Sequence, residues 1–304
     1  MTIRIGTRGS RLALVQARSV ARRLEALGHR AELVIVRTEG DRDRGRPFVE
    51  LGAFGLFVRE IERALLDGRC DLAVHSLKDL PTRLPEGLAL LAVPERRDPA
   101  DVLVMRTSAR DTAAPGVPLR EGARIGTASA RRRAFLGVER PDLSFDLLRG
   151  NLPTRLARVA AGDFDATVLA AAGIERLREA GEDLPLEELV LHRLDPARFV
   201  PAPGQGAIGV EGRADDPAIA ALAKALDDPD LHREVLAERL LLARVEGGCQ
   251  VPLGAWARTE DGVLVLVAAL GREDGSVARA VASGAHPGEV AAAAFAGLSG
   301  GGGR

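Results

Sequence analysis

The chain has 304 residues, 46% of them hydrophobic and 28% charged, with a formal net charge of −1 at pH 7. That length suits two or three domains of roughly 100–150 residues each. A near-neutral chain with 3% aromatics and no tyrosine lacks a general attraction to nucleic acid or anionic membrane and lacks stacking platforms for single strands.

The opening residues MTIRIGTRGS read as a strand and a turn, not a signal peptide, and no apolar run of about 18 residues follows. A reducing cytoplasm is the expected location. Ile3–Gly6 is predicted as a strand and Ser10–Leu27 as a helix, with Leu12, Val20, Leu24 and Leu27 on its apolar face. Glu32–Thr38 is the next strand. Glu39–Phe54, polar and rich in alternating charge, reads as a mobile loop. Gly55–Leu66 is helical, and Asp71–Val74 and Leu88–Val93 are strands. After the crossing Pro94–Pro99 the rhythm restarts, with strands at Asp101–Met105, Ile125, Ser144–Leu148 and Ala166–Leu169 and helices between them. A second proline-rich crossing, Phe199–Pro203, leads to another strand within Gly204–Val210. Two crossings around a self-contained βα block imply one α/β domain inserted into another, with a hinge. Such units predict mostly parallel sheets that take ligands at the carboxyl ends of their strands.

The tail changes style. Pro217–Leu226 and Asp230–Val245 are helical, then Leu253–Thr259, Val263–Leu270 and Ser276–Ser283 alternate as strands around an Asp261-Gly262 turn, before a last helix at Glu289–Leu298 and a frayed end at Gly300–Arg304. The fold class is therefore α/β, two α/β domains and a small C-terminal α+β domain. Domain 1 comprises 1–94 plus 204–222, domain 2 comprises 100–199, and domain 3 comprises 226–304.

Arginines mark the strand-to-helix junctions. Thr7-Arg8-Gly9-Ser10 is the first of them. In IGTASARRR, Ser129 is a good N-cap and Arg131, Arg132 and Arg133 occupy the first helical turn. Cations are unfavourable at that positive helix end, so a bound anion is expected to offset them; Arg133 is expected to face solvent. Arg149-Gly150-Asn151 and Arg155 repeat the pattern at the next junction. A ligand with more than one negative group follows, and arginine suits carboxylates bidentately.

All but Lys78 and Lys224 of the 42 basic residues are arginine, so Lys78, beside Asp79 after a buried strand, stands out. A carboxylate beside a lysine stays ionised and can stabilise a cation or move a proton. His75 reads as an orienting residue, not as a ligand. Two cysteines make neither a disulfide framework nor a metal cluster, and no metal is expected. Cys70 suits a packed interior. Cys249, in the turn Glu246-Gly247-Gly248-Cys249-Gln250, suits a nucleophilic or cofactor-bearing thiol.

In this order, AVHSLKDLP, GTASARRR, LLRGNLPTR, GQGAIGVE and EGGCQVPLG resemble the motifs of the porphobilinogen deaminase (hydroxymethylbilane synthase) family, from Ile3 to about Leu270. The resemblance implies two domains like those of periplasmic binding proteins, a cleft between them, and a third domain carrying the cysteine. It also implies a transferase of porphyrin, tetrapyrrole and heme biosynthesis. Four porphobilinogen molecules are condensed head to tail, with release of ammonia, into the linear tetrapyrrole hydroxymethylbilane. The growing chain starts from a dipyrromethane cofactor, attached by a thioether to the position of Cys249. Asp79 falls at the catalytic position, near the pyrrole N–H groups. Lys78, Ser10, Thr127, Ser129, Arg131 and Arg132 fall at cofactor-binding positions, and Arg8, Arg149, Arg155 and Arg176 at substrate-binding positions. Gln205 lies in the hinge motif. The expected partner is porphobilinogen, with no nucleic acid or membrane, and the expected state is a monomer. Three positions depart from the family: Arg11 stands where proline is common, Phe54 where a loop lysine is common (Arg59 or Arg46 being the substitutes), and Pro153 where glycine is common. The alternative reading is a non-catalytic two-domain polycarboxylate-binding or ligand-sensing protein, which leaves Asp79 and Cys249 idle. Phosphate or nucleotide binding lacks its glycine and lysine signatures.

Overall fold

A computed structural model describes residues 1–36, 56–114, 116–245 and 251–300. The predicted loop Glu39–Phe54 and the Cys249 turn lie outside the described residues. The chain divides into two compact units, Met1–Arg97 with Gly206–Val235, and Asp98–Gln205 with Leu236–Arg304.

In the first unit, β1 (Thr2–Thr7), β2 (Arg30–Ile35), β3 (Leu72–Ser76), β4 (Leu88–Ala92) and β10 (Ile208–Arg213) form one sheet in the order β2-β1-β3-β10-β4. Alternation along the strands sorts their side chains to two faces. Ile3, Ile5, Leu72, Val74, Ile208 and Val210 join a core with Val20 and Leu24 of α1 (Arg11–Ala26) and with Ile219 and Ala223 of α6 (Pro217–Leu226). Ala73 faces the other way, into a cluster with Cys70 and with Ile61, Ala64 and Leu65 of α2 (Leu56–Leu66). Burial pushes the Cys70 thiol up to about 11, in keeping with an inert packing cysteine.

The second unit has a sheet of the same plan, β7-β6-β8-β5-β9, from β5 (Asp101–Arg106), β6 (Arg124–Gly126), β7 (Ser144–Asp146), β8 (Ala166–Ala170) and β9 (Leu189–Arg193). Its helices are α3 (Ala130–Glu139), α4 (Leu152–Ala160) and α5 (Ala171–Glu179). Beside it, β11 (Leu253–Glu260), β12 (Val263–Gly271) and β13 (Val277–Gly284) form an antiparallel sheet covered by α8 (Pro287–Gly300). The Asp261-Gly262 turn joining β11 and β12 has φ of 48° and 80°, as a two-residue hairpin requires.

Two features add to the sequence reading. Each five-stranded sheet contains one reversed strand: β10 is antiparallel to β3 and β4, and β5 to β8 and β9. Both are the first strand made after a change of unit. The C-terminal sheet also groups with the inserted block in one unit. Its Trp256, Val267, Ala269 and Val277 pack on the core of Phe135, Leu136, Phe199 and Val200. Small residues permit that approach: a Cβ on Gly254 would lie 2.5 Å from the Val200 carbonyl oxygen, and the next residue, Ala255, donates its N–H to Pro201 O at 2.9 Å. The contact boundary then falls inside α7 (Pro229–Arg244), after Val235.

Candidate functional site

In the first unit, adjacent parallel strands β1 and β3 deliver their following residues to one edge of the sheet. After β1, Ser10 caps α1 by accepting the Ala13 N–H at 3.3 Å, and the helix begins at Arg11. Arg8, just before it, is half-buried. After β3 comes a single 3₁₀ turn, Leu77–Asp79, held by Leu80 N–H to Leu77 O at 3.1 Å. Leu77 is buried, Lys78 half-buried and Asp79 exposed. The structure therefore brings Arg8 and Ser10 to the same edge as Lys78 and Asp79.

The second unit repeats the arrangement. Parallel strands β7, β6 and β8 lie side by side and lead into α4, α3 and α5, so all three helix starts share the carboxyl edge, where α/β sheets bind ligands. At α3, Thr127 Oγ1 accepts the Ser129 N–H at 3.1 Å and Ser129 Oγ accepts the Arg132 N–H at 3.3 Å. A hydroxyl accepting in this way keeps one O–H to donate. At α4, Asn151 Oδ1 accepts from the Thr154 N–H at 2.9 Å, and Arg155 Nε donates to Gly150 O at 2.7 Å. Gly150 has φ of 115°, a left-handed backbone that favours glycine. Pro153 fits the first turn of α4. Arg149 is exposed, Arg155 half-buried and Arg176, on α5, buried. Arg133 is exposed, as expected.

Arg131 and Arg132 are placed differently from the sequence expectation of a helix end open to an external anion. Both are buried against Asp101, itself fully buried at the head of β5. Arg131 Nη2 reaches Asp101 Oδ2 at 2.6 Å and its Nη1 donates to Val200 O at 2.8 Å. Arg132 donates to Asp101 Oδ1 through Nε and Nη2 at 3.1 and 2.6 Å and to Val168 O through Nη1 at 2.7 Å. Gln205 Nε2 adds bonds to Asp101 Oδ1 and Pro99 O at 3.1 and 2.8 Å. Burial works to raise the Asp101 pKa, but the two guanidiniums outweigh it and hold the group at about 2. Burial in turn draws Arg131 below its ordinary value. An anion that offsets the arginines is thus built into the chain. Sequence reasoning missed Asp101, whose signal was a charged residue heading the apolar strand DVLVM. Two cations against one carboxylate still leave the trio with a net charge of +1, suited to an added carboxylate.

Among the described residues no group of three or more metal-ligating side chains could hold an ion. A cavity of about 460 Å³, lined by Phe135, Val138, Glu139, Arg198, Val277 and Arg279, contains none of the predicted residues.

Each of the two five-stranded sheets gathers cationic and hydroxyl side chains at its carboxyl edge, one of them with a lysine–aspartate turn, the features of an α/β protein suited to a polyanionic ligand. Residues 3–221 match the family described as "Porphobilinogen deaminase, dipyromethane cofactor binding domain", and residues 232–297 match "Porphobilinogen deaminase, C-terminal domain". The porphobilinogen deaminase of Syntrophobacter fumaroxidans is 50% identical over 266 residues, 87% of this chain and 82% of that protein. That of Synechococcus elongatus is 47% identical over 267 residues, 87% of this chain and 80% of that protein. Among solved structures, a periplasmic binding protein of Salmonella typhimurium with high arginine specificity is 12% identical, covering 74% of this chain and 91% of that one at a TM-score of 0.40.

The chain belongs to the porphobilinogen deaminase family. It is a transferase of tetrapyrrole biosynthesis, a hydroxymethylbilane synthase that condenses four porphobilinogen molecules on a dipyrromethane cofactor. The binding-protein alternative is not favoured by these relationships.

Proposed function

We propose that Asp79 is the catalytic acid–base group of this reaction, with Lys78 as its cationic neighbour, and that Cys249, outside the described residues, carries the dipyrromethane. The cofactor supplies a primer with a free pyrrole end and a set of carboxylates. The observation that carries this reading is the display of the matching side chains at the carboxyl edges of adjacent parallel strands in both units. The donor set fits the cofactor. Thr127 and Ser129 hydroxyls, the net-positive Arg131–Arg132–Asp101 trio, and Lys78 and Ser10 are chemically matched to carboxylates. Arg8, Arg149, Arg155 and Arg176 are assigned to the acetate and propionate groups of incoming porphobilinogen.

Asp79, exposed at the turn, can take a proton from or return it to a pyrrole nitrogen, and its negative charge stabilises a cationic ring when it forms. Lys78, on the same turn, adds a cationic donor for acidic side groups of the ligand. The arginines hold acidic side groups bidentately and so orient the ring being joined.

The proposal includes a three-part division, 1–94 with 204–222, 100–199 and 226–304, and a monomer of the cytoplasm. No helix among the described residues is long and apolar enough to cross a membrane, and the net charge of −1 supports no role in nucleic-acid binding.

The decisive experiment is the intact mass of the denatured protein. A covalent addition of two pyrrole units is expected in the wild type and is expected to vanish in Cys249→Ala. An unmodified mass in protein that turns over porphobilinogen sinks the Cys249 assignment.

A further inference from the structure

Behind the Lys78–Asp79 turn lies a buried polar set that the reaction does not use directly. His75, on β3 three residues before Lys78, is buried, and its Nε2 lies 2.9 Å from Oε2 of Glu211, which is fully buried on β10. The register explains the meeting. Gly209 opposes His75 and Glu211 opposes Ala73, so the two side chains share a face as diagonal neighbours within reach of long side chains. Glu211 Oε1 has no hydrogen-bond partner among the described residues. Glu62, buried on α2 above the same face, is raised above the ordinary carboxyl range, first by burial and then by the Glu211 charge, against the opposing pull of His75 and Arg59. From β4 the neighbour of Glu211 is Leu90, and among the described residues the charged groups gathered with the pair are Glu62 and Arg59.

A set of two carboxyls and an imidazole is costly to bury, and an apolar trio of similar volume often serves stability as well. Its location suggests another use. The 3₁₀ turn follows directly from the end of β3, so its aim depends on what holds that end. Leu77 N–H donates to Ala207 O at 3.0 Å, and Ser76 Oγ donates to Gln16 Oε1 at 3.0 Å. Leu77 itself packs so closely on β10 that a Cβ on Gly209 would lie 2.8 Å from its Cδ1. The His75–Glu211 bond is the buried side-chain tie in this set, and it joins the two strands that carry the others.

We propose that His75 and Glu211 are positioning residues for the Lys78–Asp79 turn, their hydrogen bond fixing the end of β3 against β10 so that both reactive side chains project in one orientation. The inference rests on the assignment of Asp79 to the chemistry. Misplacement of a reacting group by about 1 Å can cost about 100-fold in rate, so an effect on kcat is expected with little effect on binding.

The test uses cofactor-loaded holoenzyme, its loading checked by intact mass and its fold by Tm. His75→Leu is expected to lower kcat about 10- to 100-fold, with KM for porphobilinogen within about twofold, the pattern of a group that matters in the transition state. His75→Gln, which keeps a donor toward Glu211, is expected to recover to within about threefold of wild type on the same reasoning. Glu211→Leu, which removes the acceptor from the other side of the bond, is expected to lower kcat in the same way with KM within about twofold, and Glu211→Gln, which keeps a carbonyl acceptor toward the imidazole, to recover to within about threefold of wild type. Unmoved kcat in folded His75→Leu overturns the proposal, as does a rise in KM alone or a His75→Gln as impaired as His75→Leu. If His75→Leu does not fold, the Glu211 variants decide, and an unmoved kcat in folded Glu211→Leu, or a Glu211→Gln as impaired as Glu211→Leu, overturns the proposal. Asp79→Asn separates the layers. Near-normal turnover in Asp79→Asn removes the assignment beneath the inference, whereas an inactive Asp79→Asn beside unaffected His75 and Glu211 variants removes the inference alone.

Discussion

The two units present charged side chains at equivalent edges of similar sheets, yet under opposite physical conditions. At the Lys78–Asp79 turn the carboxylate is exposed on a single 3₁₀ turn, and the buried His75–Glu211 pair lies just before it at the end of β3. At the start of α3 the charges themselves are buried, with Arg131 and Arg132 locked onto Asp101 by bonds of 2.6 to 3.1 Å. An exposed carboxylate can approach and leave a proton cheaply because water solvates both forms. A buried arginine pair has no such freedom; it supplies a fixed field, and fixed dipoles and charges need no reorganisation when a reaction develops charge. The difference separates a group suited to proton movement from groups suited to holding.

The contrast can be broken most forcefully at Asp101. Asp101→Asn keeps the shape but leaves two buried guanidiniums without their anion, and the loss of one partner from a buried pair costs about 3–5 kcal/mol. Urea denaturation is expected to show a loss of that size near neutral pH. The Asp101 pKa is lowered from 3.8 to about 2, so its stabilisation is fully present above the unfolded value and is lost as pH falls through the folded one. The gap between wild type and Asp101→Asn should therefore narrow between about pH 4 and pH 2. A gap that is constant with pH would assign the effect to packing and not to charge.

At the other region the same kind of change should leave stability alone. Asp79→Asn is expected to lower kcat by about 10²–10⁴-fold, the range for loss of a positioned acid–base group, with Tm unchanged because surface substitutions are close to neutral. Turnover near wild type would remove Asp79 from the chemistry, and a fall in Tm would mean that the turn is less independent of the interior than its exposure suggests.

A smaller effect tests whether the start of α3 is held by its cap as well as by its ion pairs. Ser129→Ala removes the acceptor for the Arg132 N–H and is expected to cost about 1 kcal/mol by chemical denaturation. If Ser129 also donates to a cofactor carboxylate, the cost should be larger in holoenzyme than in protein lacking the cofactor.

What could be read from sequence in these regions follows the range of the interactions. The caps at Ser10, Ser129 and Asn151 bond residues three positions on, so a short window contains both partners. Pro217–Leu226 is bounded in the structure as the sequence predicts, with Asp216 capping it and proline in its first turn. Ser144–Leu148, by contrast, shortens to Ser144–Asp146 because β7 is an edge strand that pairs with β6 over three residues. Asp101 lies 30 residues from Arg131 and Glu211 lies 136 from His75; neither pairing has a local pattern. The reversed directions of β5 and β10 are also set by the return of the chain from the other unit, which hydrophobic periodicity does not record. The charged motifs themselves were legible, but not which charge each was facing.

The smallest expected effect sharpens the comparison by its sign. Asp101 and Glu62 are both buried carboxyls, yet their surroundings push them in opposite directions. For Glu62 burial dominates and the nearby Glu211 charge adds to it, so the folded-state pKa is raised. Its favourable contribution is therefore fully present below the unfolded value and is lost as pH rises through the folded one. Glu62→Gln keeps the shape and removes the ionisation. The variant should match wild type in Tm below the unfolded carboxyl value, where Glu62 is protonated in both the folded and the unfolded chain, and exceed it at alkaline pH, where the native protein must either ionise a buried group or hold a proton against the gradient. Asp101→Asn should show the reverse trend, most damaging at neutral pH and least in strong acid. Equal Tm for Glu62→Gln and wild type across the alkaline range would mean that α2 shifts to solvate the charge, and that the polar set behind the Lys78–Asp79 turn is less rigid than the arginine cluster of the other unit.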